Sequence, residues 1–466
     1  MRKIILLLFC AGLSSGIFAA GPVKYDKAWE SIDSRQVPEW FENAKFGIFI
    51  HWGLYSVPAY SPAKKDGVSL YDLYAEHYWN RWNGTSNMKG REFILDFHNR
   101  VYGPNFKYQD FTGMFKAEMF EPDQWARIIE ESGAGYVVLT SKHHEGWALW
   151  PSRYSANWNA VETGPHRDLL GELTAAVKAR GLKMGYYYSL LEWFHPMYTE
   201  ETLDTYIDTH LFPQMKELVE TYKPDVLWTD GEWDYTSEKW RSTEFLQWLF
   251  NESSVKETVA VNDRWGSETR SRHGGYYTTE YDLVHQGNAN GTVFSRPWEE
   301  CRGIGGSFGF NRNEYLDEYS TSAELVHILV NKVARGGNLL LNIGPTADGR
   351  IPLLMQERLK DMGNWLKVNG EAIYNSRKWE NSPAVTPETS VYFTKGENAL
   401  YVIITKWQDG PIVVKGVKGV KGVSMLGTDA RVSYSRSGDR LIIRPLTIKS
   451  PEDLPCDYAW VYKISL

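Results

Sequence analysis

Four stretches built to one plan decide the fold: WARIIEESGAGYVVLTS (125–141), LTAAVKARGLKMGYYYS (173–189), QMKELVETYKPDVLWTD (214–230) and LQWLFNESSVKETVAVND (246–263). Each opens with an amphipathic helical period, meets a Gly, Pro or polar stop, and runs into a short, nearly continuous apolar strand. Strands buried on both faces and alternating with helices belong to parallel sheets, because each crossover helix covers a face. FGIFIHWG (46–53) reads as an earlier strand with the same polar ending, and NLLLNIGP (338–345) as a later one that closes the ring. The expected architecture is therefore a (β/α)8 TIM-like barrel. An open doubly wound sheet is the alternative, but no GxGxxG stands at a strand-to-helix turn.

Beyond about Lys378 the helical period disappears. SVYFT (390–394), ALYVIITKW (399–407), RLIIRPL (440–446) and YAWVYKISL (458–466) are short strands separated by turn residues, the pattern of a C-terminal antiparallel β-sandwich. VKGVKGVKGV (414–423) is low-complexity, and its glycine spacing suggests tight turns or an exposed edge guarded by lysines. At the other end, Arg2 and Lys3 precede an apolar stretch that finishes in Ala19 and Ala20, the layout of an export signal. The expected parts are a signal peptide over 1–20, a catalytic barrel over 21–376 and a sandwich over 377–466. The destination is periplasmic or secreted, and no later segment is apolar enough to span a bilayer.

Of the 466 residues, 14% are aromatic, including 20 Trp and 28 Tyr, and the formal net charge is -7. The acidic balance, with no dense Lys/Arg run, argues against a nucleic-acid partner. Excess Trp and Tyr points weakly to carbohydrate, whose C–H faces rest on flat rings while polar groups take the hydroxyls. Cys10 falls in the signal; Cys301 and Cys456 permit one disulfide but imply no framework.

Barrel chemistry sits at the C-terminal ends of the strands. In DVLWTDGEW (225–233), period 2 puts Val226, Trp228 and Asp230 on one face, so Asp230 leaves the strand beside an aromatic wall and Gly231 lets the chain turn away. Helix capping is the bland reading of that carboxylate; Glu232 and Asp234 read as surface or supporting groups. A glycosidase needs a second carboxyl across the bond. Glu280 in GGYYTTEYD (274–282) and Glu299 in PWEECRG (297–303) are both candidates, each beside aromatics that would raise its pKa. Either could instead be a buried anchor.

In VAVNDRWG (259–266), alternation places Asn262 and Arg264 on one face, where the arginine fixes a carboxylate or a sugar hydroxyl, or ties two loops. His51, and His143 with His144 in SKHHEGW, are strand-end imidazoles able both to donate to and to accept from hydroxyls. His143, His144, Glu145 and Asp230 could alternatively be metal ligands, but no HxH pair or HExxH helix is present. His98, His210 and His327 read as satisfied surface or core groups. One face of Tyr186, Tyr187 and Tyr188 lines the barrel while the other meets helices. Phe308, between glycines in GSFGFNRNE (306–314), is an apolar loop wall or a turn plug.

These motifs, with GPHRDLLGEL (164–173), YYSLLEWFHP (187–196) and GGNLLLNIGPTADG (336–349), occur in an order that resembles glycoside hydrolase family 29, the α-L-fucosidases. The resemblance covers nearly the whole mature chain. It implies a barrel followed by a β-sandwich and metal-independent, cofactor-free, retaining hydrolysis of terminal α-L-fucose from oligosaccharides or glycoconjugates. By motif, Asp230 corresponds to the nucleophile and Glu280 to the acid/base, with Glu299 of the WExC signature as alternative. The sugar contacts fall on His51, His143, His144, Tyr187, Trp228, Arg264 and Phe308. One departure stands out: where the family carries an AEWY-like segment, this chain reads Ala75, Glu76, His77 and Tyr78.

Overall fold

The computed structural model describes residues 24–84, 90–284, 287–288 and 294–466; the expected signal peptide lies outside them. Eight parallel strands follow the chain: β1 (Phe46–Ile50), β2 (Tyr136–Lys142), β3 (Lys183–Ser189), β4 (Val226–Asp230), β5 (Ala260–Val261), β6 (Tyr277–Glu280), β7 (Trp298–Gly303) and β8 (Gly337–Ile343). Their spatial order is β5-β4-β3-β2-β1-β8-β7-β6. The last strand thus returns to pair with the first, Phe46 facing Leu339 and Ile50 facing Ile343. No ladder joins β5 to β6. Gly275 N–H donates to the Asn262 carbonyl and Tyr276 N–H to that of Val261, each at 3.0 Å, and these bonds bridge the gap. A Cβ at Gly275 would lie 1.8 Å from the Val261 oxygen, so only glycine permits that approach.

Side-chain alternation sorts the residues of the strands. Phe49, Val138, Tyr187, Val226, Trp228, Cys301 and Leu340 form the inner cluster, whereas Ile48, Val137, Tyr186, Tyr188 and Leu227 pack outward against the helices. Among the helices are α1 (Pro122–Glu131), α2 (Leu169–Ala179), α3 (Phe212–Tyr222), α4 (Ser242–Asn251), α5 (Ser322–Ala334) and α6 (Leu353–Asn369). Proline opens α1, where a missing N–H costs nothing, and its face buries Trp125, Ala126 and Ile129. Asp168 caps α2 by accepting from Gly171 N–H at 2.8 Å.

The ring departs from eight regular units in one respect. No helix lies between β5 and β6 or between β6 and β7 among the described residues. The β5–β6 connection brings Arg264 and Arg270 to the mouth, and Glu280 ends β6 there.

The C-terminal strands are β9 (Arg377–Lys378), β10 (Val391–Lys395), β11 (Ala399–Ile404), β12 (Ile412–Lys415), β13 (Gly422–Met425), β14 (Ser433–Ser437), β15 (Arg440–Arg444) and β16 (Trp460–Ser465). They form an antiparallel sheet β9-β10-β11-β16-β13 facing a second, β12-β15-β14. Phe393, Val402 and Ile404 share a core with Val414, Leu441 and Ile443. The opposite face of the larger sheet, through Tyr401, Ile403 and Val461, joins the core beneath the barrel helices. Trp365 of α6 reinforces that junction by donating its indole N–H to the Ala459 carbonyl at 2.8 Å. The lysine-glycine run links β12 to β13, both at sheet edges, through Gly416 and Gly419 at φ +74° and +72°. Cys301 is buried, Cys456 half-buried, and both thiols are free.

Candidate active site

A cavity at the C-terminal ends of the strands gathers Asp230, Glu280, Arg264, His51, His143, His144, Tyr187, Trp228 and Phe308. Asp230 ends β4, and Gly231 at φ +74° turns the chain sharply there; a Cβ would press on Leu191 and on Ser189 Oγ. Both carboxylate oxygens are held. Arg264 Nη1 donates to Oδ1 at 2.8 Å and the Tyr187 hydroxyl to Oδ2 at 2.9 Å. Arg270 stands 3.6 Å from Oδ1. Burial alone would raise the Asp230 pKa, but the Arg264 charge, then His144 and Arg270, outweigh it and hold the carboxyl well below the usual range.

The same guanidinium reaches Glu280. Arg264 Nη2 donates to Glu280 Oε2 at 3.1 Å, its Nε donates to Thr278 Oγ1, and the plane lies 4.3 Å from the Trp228 ring. The Tyr74 hydroxyl donates to Glu280 Oε1 at 2.7 Å. One planar cation therefore faces two carboxylates across the cavity floor.

Two imidazoles have their tautomers fixed from behind. Asn342 Nδ2 donates to the Phe308 carbonyl, so its Oδ1 accepts from His51 Nδ1–H at 2.7 Å. Ser189 donates to the Leu191 carbonyl and so accepts from His144 Nδ1–H at 2.6 Å. In both rings Nε2 is left as an acceptor. Burial keeps them neutral, pushing His51 down to about 3 and His144 to about 4. Phe308, 4.9 Å from His51 and 5.3 Å from Tyr74 between ring centroids, supplies the apolar wall.

Glu299 is placed elsewhere. In the β6–β7 register it sits opposite Thr278, whereas Glu280 sits opposite Cys301, so Glu299 lies two residues below the rim. It is fully buried beneath the cavity floor, accepting from the Tyr136 hydroxyl and from Trp228 Nε1–H at 2.9 Å. Burial pushes its carboxyl up to about 7. The folded state thus favours the protonated form, and that stability is lost as pH rises from the ordinary value of 4.5 through about 7. Glu299→Gln should remove this loss, narrowing the gap in unfolding free energy between about pH 5 and pH 8 by about 1–3 kcal/mol. Denaturant melts of both proteins at the two pH values measure it.

Of the two readings of Glu232, surface or supporting, the structure takes the second: it is 1% exposed and bound by Arg270 Nε at 2.6 Å. β5 ends at Val261, so alternation stops before Asn262, which ties β5 to Thr229, while Arg264 alone turns into the cavity. Among the described residues one group has metal-ligand spacing, Glu192, His195 and His210. Its carboxylate already accepts from the Lys142 ammonium and from His210, which places a cation where an ion would need the oxygen. His98 and His327 are satisfied by backbone carbonyls, as expected.

A model of the family described as alpha-L-fucosidase matches residues 18–371. The chain belongs to the α-L-fucosidase family. It is 42% identical over 469 residues to an α-L-fucosidase of Branchiostoma floridae, covering 98% of this chain and 99% of that one. It is 40% identical over 475 residues to human tissue α-L-fucosidase, covering 99% and 96%. The structure of Thermotoga maritima α-fucosidase in complex with fucose superposes with a TM-score of 0.77 at 36% identity, covering 95% of this chain and all of that one. The chain is thus a glycoside hydrolase, and its fold is that of the α-L-fucosidases.

Within this α-L-fucosidase chain the structure adds cavity residues that sequence reasoning did not place: Tyr71, Tyr74, Glu76, Arg270 and Cys301. Tyr71 and Glu76 lie in two short 3-10 turns and Tyr74 links them, a stretch with no periodic signal. His77, the departure from the family segment, stands in the wall 5.3 Å from Trp193 and 5.6 Å from His144 between centroids.

Proposed function

We propose that the chain removes terminal α-L-fucose from fucosylated oligosaccharides or glycans by double displacement with retention. Asp230 attacks the anomeric carbon while Glu280 protonates the departing oxygen; Glu280 then takes the proton of the water that opens the fucosyl ester. The observation that carries this reading is the bridging of both carboxylates by Arg264. In the first step the single negative charge passes from Asp230 to Glu280. The guanidinium faces both, so it opposes a carboxylate before and after transfer without moving, the kind of preorganised electrostatics that favours the transition state. Retaining glycosidases need their carboxyls close, about 5–5.5 Å apart, and sharing one cation supports that spacing. The acceptor Nε2 atoms of His51 and His144 suit sugar hydroxyls, and Phe308 suits the C5 methyl of a sugar that lacks a 6-hydroxyl.

Proton NMR of the first-formed sugar tests this: α-L-fucose must appear before the β anomer, and first appearance of the β anomer refutes retention. Arg264→Lys should lower kcat/KM about 10–100-fold, because one ammonium cannot replace both charge-assisted bonds; steady-state kinetics with an aryl fucoside measures it. A catalytically silent sugar-binding relative would have lost one carboxylate, and this chain keeps both. The apolar leader supports export, with N-terminal sequencing of protein recovered outside the cytoplasm as its test. Among the described residues no helix is long and apolar enough to cross a membrane.

A further inference from the structure

His143 lines the same cavity as His51 and His144, its ring stacked on Tyr187 at 5.2 Å and 4°. Unlike theirs, its Nδ1 is buried without a partner. Behind it stands Glu145, whose Oε2 is 3.8 Å from Nδ1, beyond hydrogen-bond length but closed by a small side-chain rotation. Glu145 is itself an anomaly: it is 4% exposed, and neither carboxylate oxygen has a hydrogen-bond partner beyond the approach of its own backbone N–H. The missing Cβ of Gly53 leaves room for it, since a Cβ there would lie 3.1 Å from Glu145 Oε1 and 2.9 Å from the Tyr55 ring.

The surroundings decide which form this carboxyl takes. Lys142, the cation at the end of β2, is committed to Glu192. Glu192 and Glu76 approach as like charges, and Tyr55 and Tyr108 are the remaining titratable neighbours. A buried carboxylate with no counter-ion is costly by several kcal/mol, so the group is kept as the neutral acid, and burial pushes it up to about 8. A carboxylic acid carries one O–H, and the adjacent orphan acceptor is His143 Nδ1.

We propose that Glu145 is a positioning residue whose O–H bonds His143 Nδ1, leaving Nε2–H of His143 as a hydrogen-bond donor facing the sugar. The cavity then presents one imidazole donor beside two imidazole acceptors, His51 and His144. Adjacent hydroxyls of a bound fucose can each donate to one neighbour and accept from another, so a mixed set satisfies them where three acceptors would not. The inference rests on the fucoside reading above, but the tautomer itself is measurable without substrate.

The test uses the full chain labelled with 15N-histidine, the His143 signals being those lost in His143→Asn. Long-range 1H–15N spectra should show the Nε2–H tautomer in the wild type and in Glu145→Gln, whose amide N–H can donate to Nδ1. Glu145→Leu should show a mixed or reversed tautomer. In Glu145→Leu, KM for an aryl α-L-fucoside should rise roughly tenfold, with kcat changed less and partial recovery in Glu145→Gln. An Nδ1–H tautomer in the wild type overturns the proposal, as does a Glu145→Leu protein with the wild-type tautomer and KM. Should Glu145→Leu fail to fold, the wild-type and Glu145→Gln spectra still decide. Failure of the fucoside reading would appear separately, as absence of hydrolysis by the wild type.

Discussion

Asp230→Gly is expected to lower turnover of an aryl α-L-fucoside by on the order of 10⁴-fold or more, the scale on which deleting a nucleophile acts. The substitution leaves Arg264, 2.8 Å from the lost oxygen, and Arg270, 3.6 Å from it, without their common anion. That vacated and doubly cationic position is where a small anion should collect, so azide should restore turnover. It should enter from the face Asp230 held and yield the β-L-fucosyl azide. Breaking a buried ion pair costs about 3–5 kcal/mol, so folding must be followed by thermal unfolding in parallel. Asp230→Asn, which keeps the shape and the Tyr187 contact, serves as the second variant. Turnover within tenfold of wild type would remove Asp230 from the reaction, and an α-fucosyl azide would contradict attack from its side.

The legibility of this site follows the regularity of the backbone. β2, β3 and β4 are apolar runs of five to seven residues joined by helices, so period 2 pairs Trp228 with Asp230, while in β3 it separates Tyr187 from Tyr186 and Tyr188 without telling which side is inner. β8 was visible for the same reason. β7 was not, because a strand inside a barrel mouth carries function on its inner face: WEECRG holds Glu299 and Cys301 there and reads as polar. The choice between Glu280 and Glu299 is a matter of height along two neighbouring strands. No composition or spacing encodes that height, which the register shows. Arg264 was found, but its reach to two carboxylates depends on the chain leaving β5 after two residues, which alternation would have carried further. Tyr74 and Glu76 come from a loop folded over the mouth from far upstream; their side chains reach Glu280 and the Gly309 backbone, contacts spanning 206 and 233 residues.

The second large effect separates the two glutamates. In Glu280→Ala the first step should depend strongly on the leaving group, because a departing alkoxide needs a proton and a stabilised phenolate hardly does. Hydrolysis of a disaccharide or alkyl fucoside should fall about 10²–10⁴-fold, the range of general acid catalysis, with a much smaller fall for a nitrophenyl fucoside. Glu299→Gln should show no such divergence. Its oxygens accept from Tyr136 and Trp228 beneath the floor, and it is not among the cavity's lining residues. A loss there would arise through Trp228, which stacks on Tyr187 at 5.6 Å and bears Arg264, and would therefore lower all substrates together. The discriminating quantity is thus the slope of log kcat/KM against leaving-group pKa, which a packing defect cannot steepen. A steep slope for Glu299→Gln and a flat one for Glu280→Ala would reverse the assignment. The register makes the opposite outcome the expected one, since Glu280 ends its strand at the cavity and Glu299 stops two residues short of it.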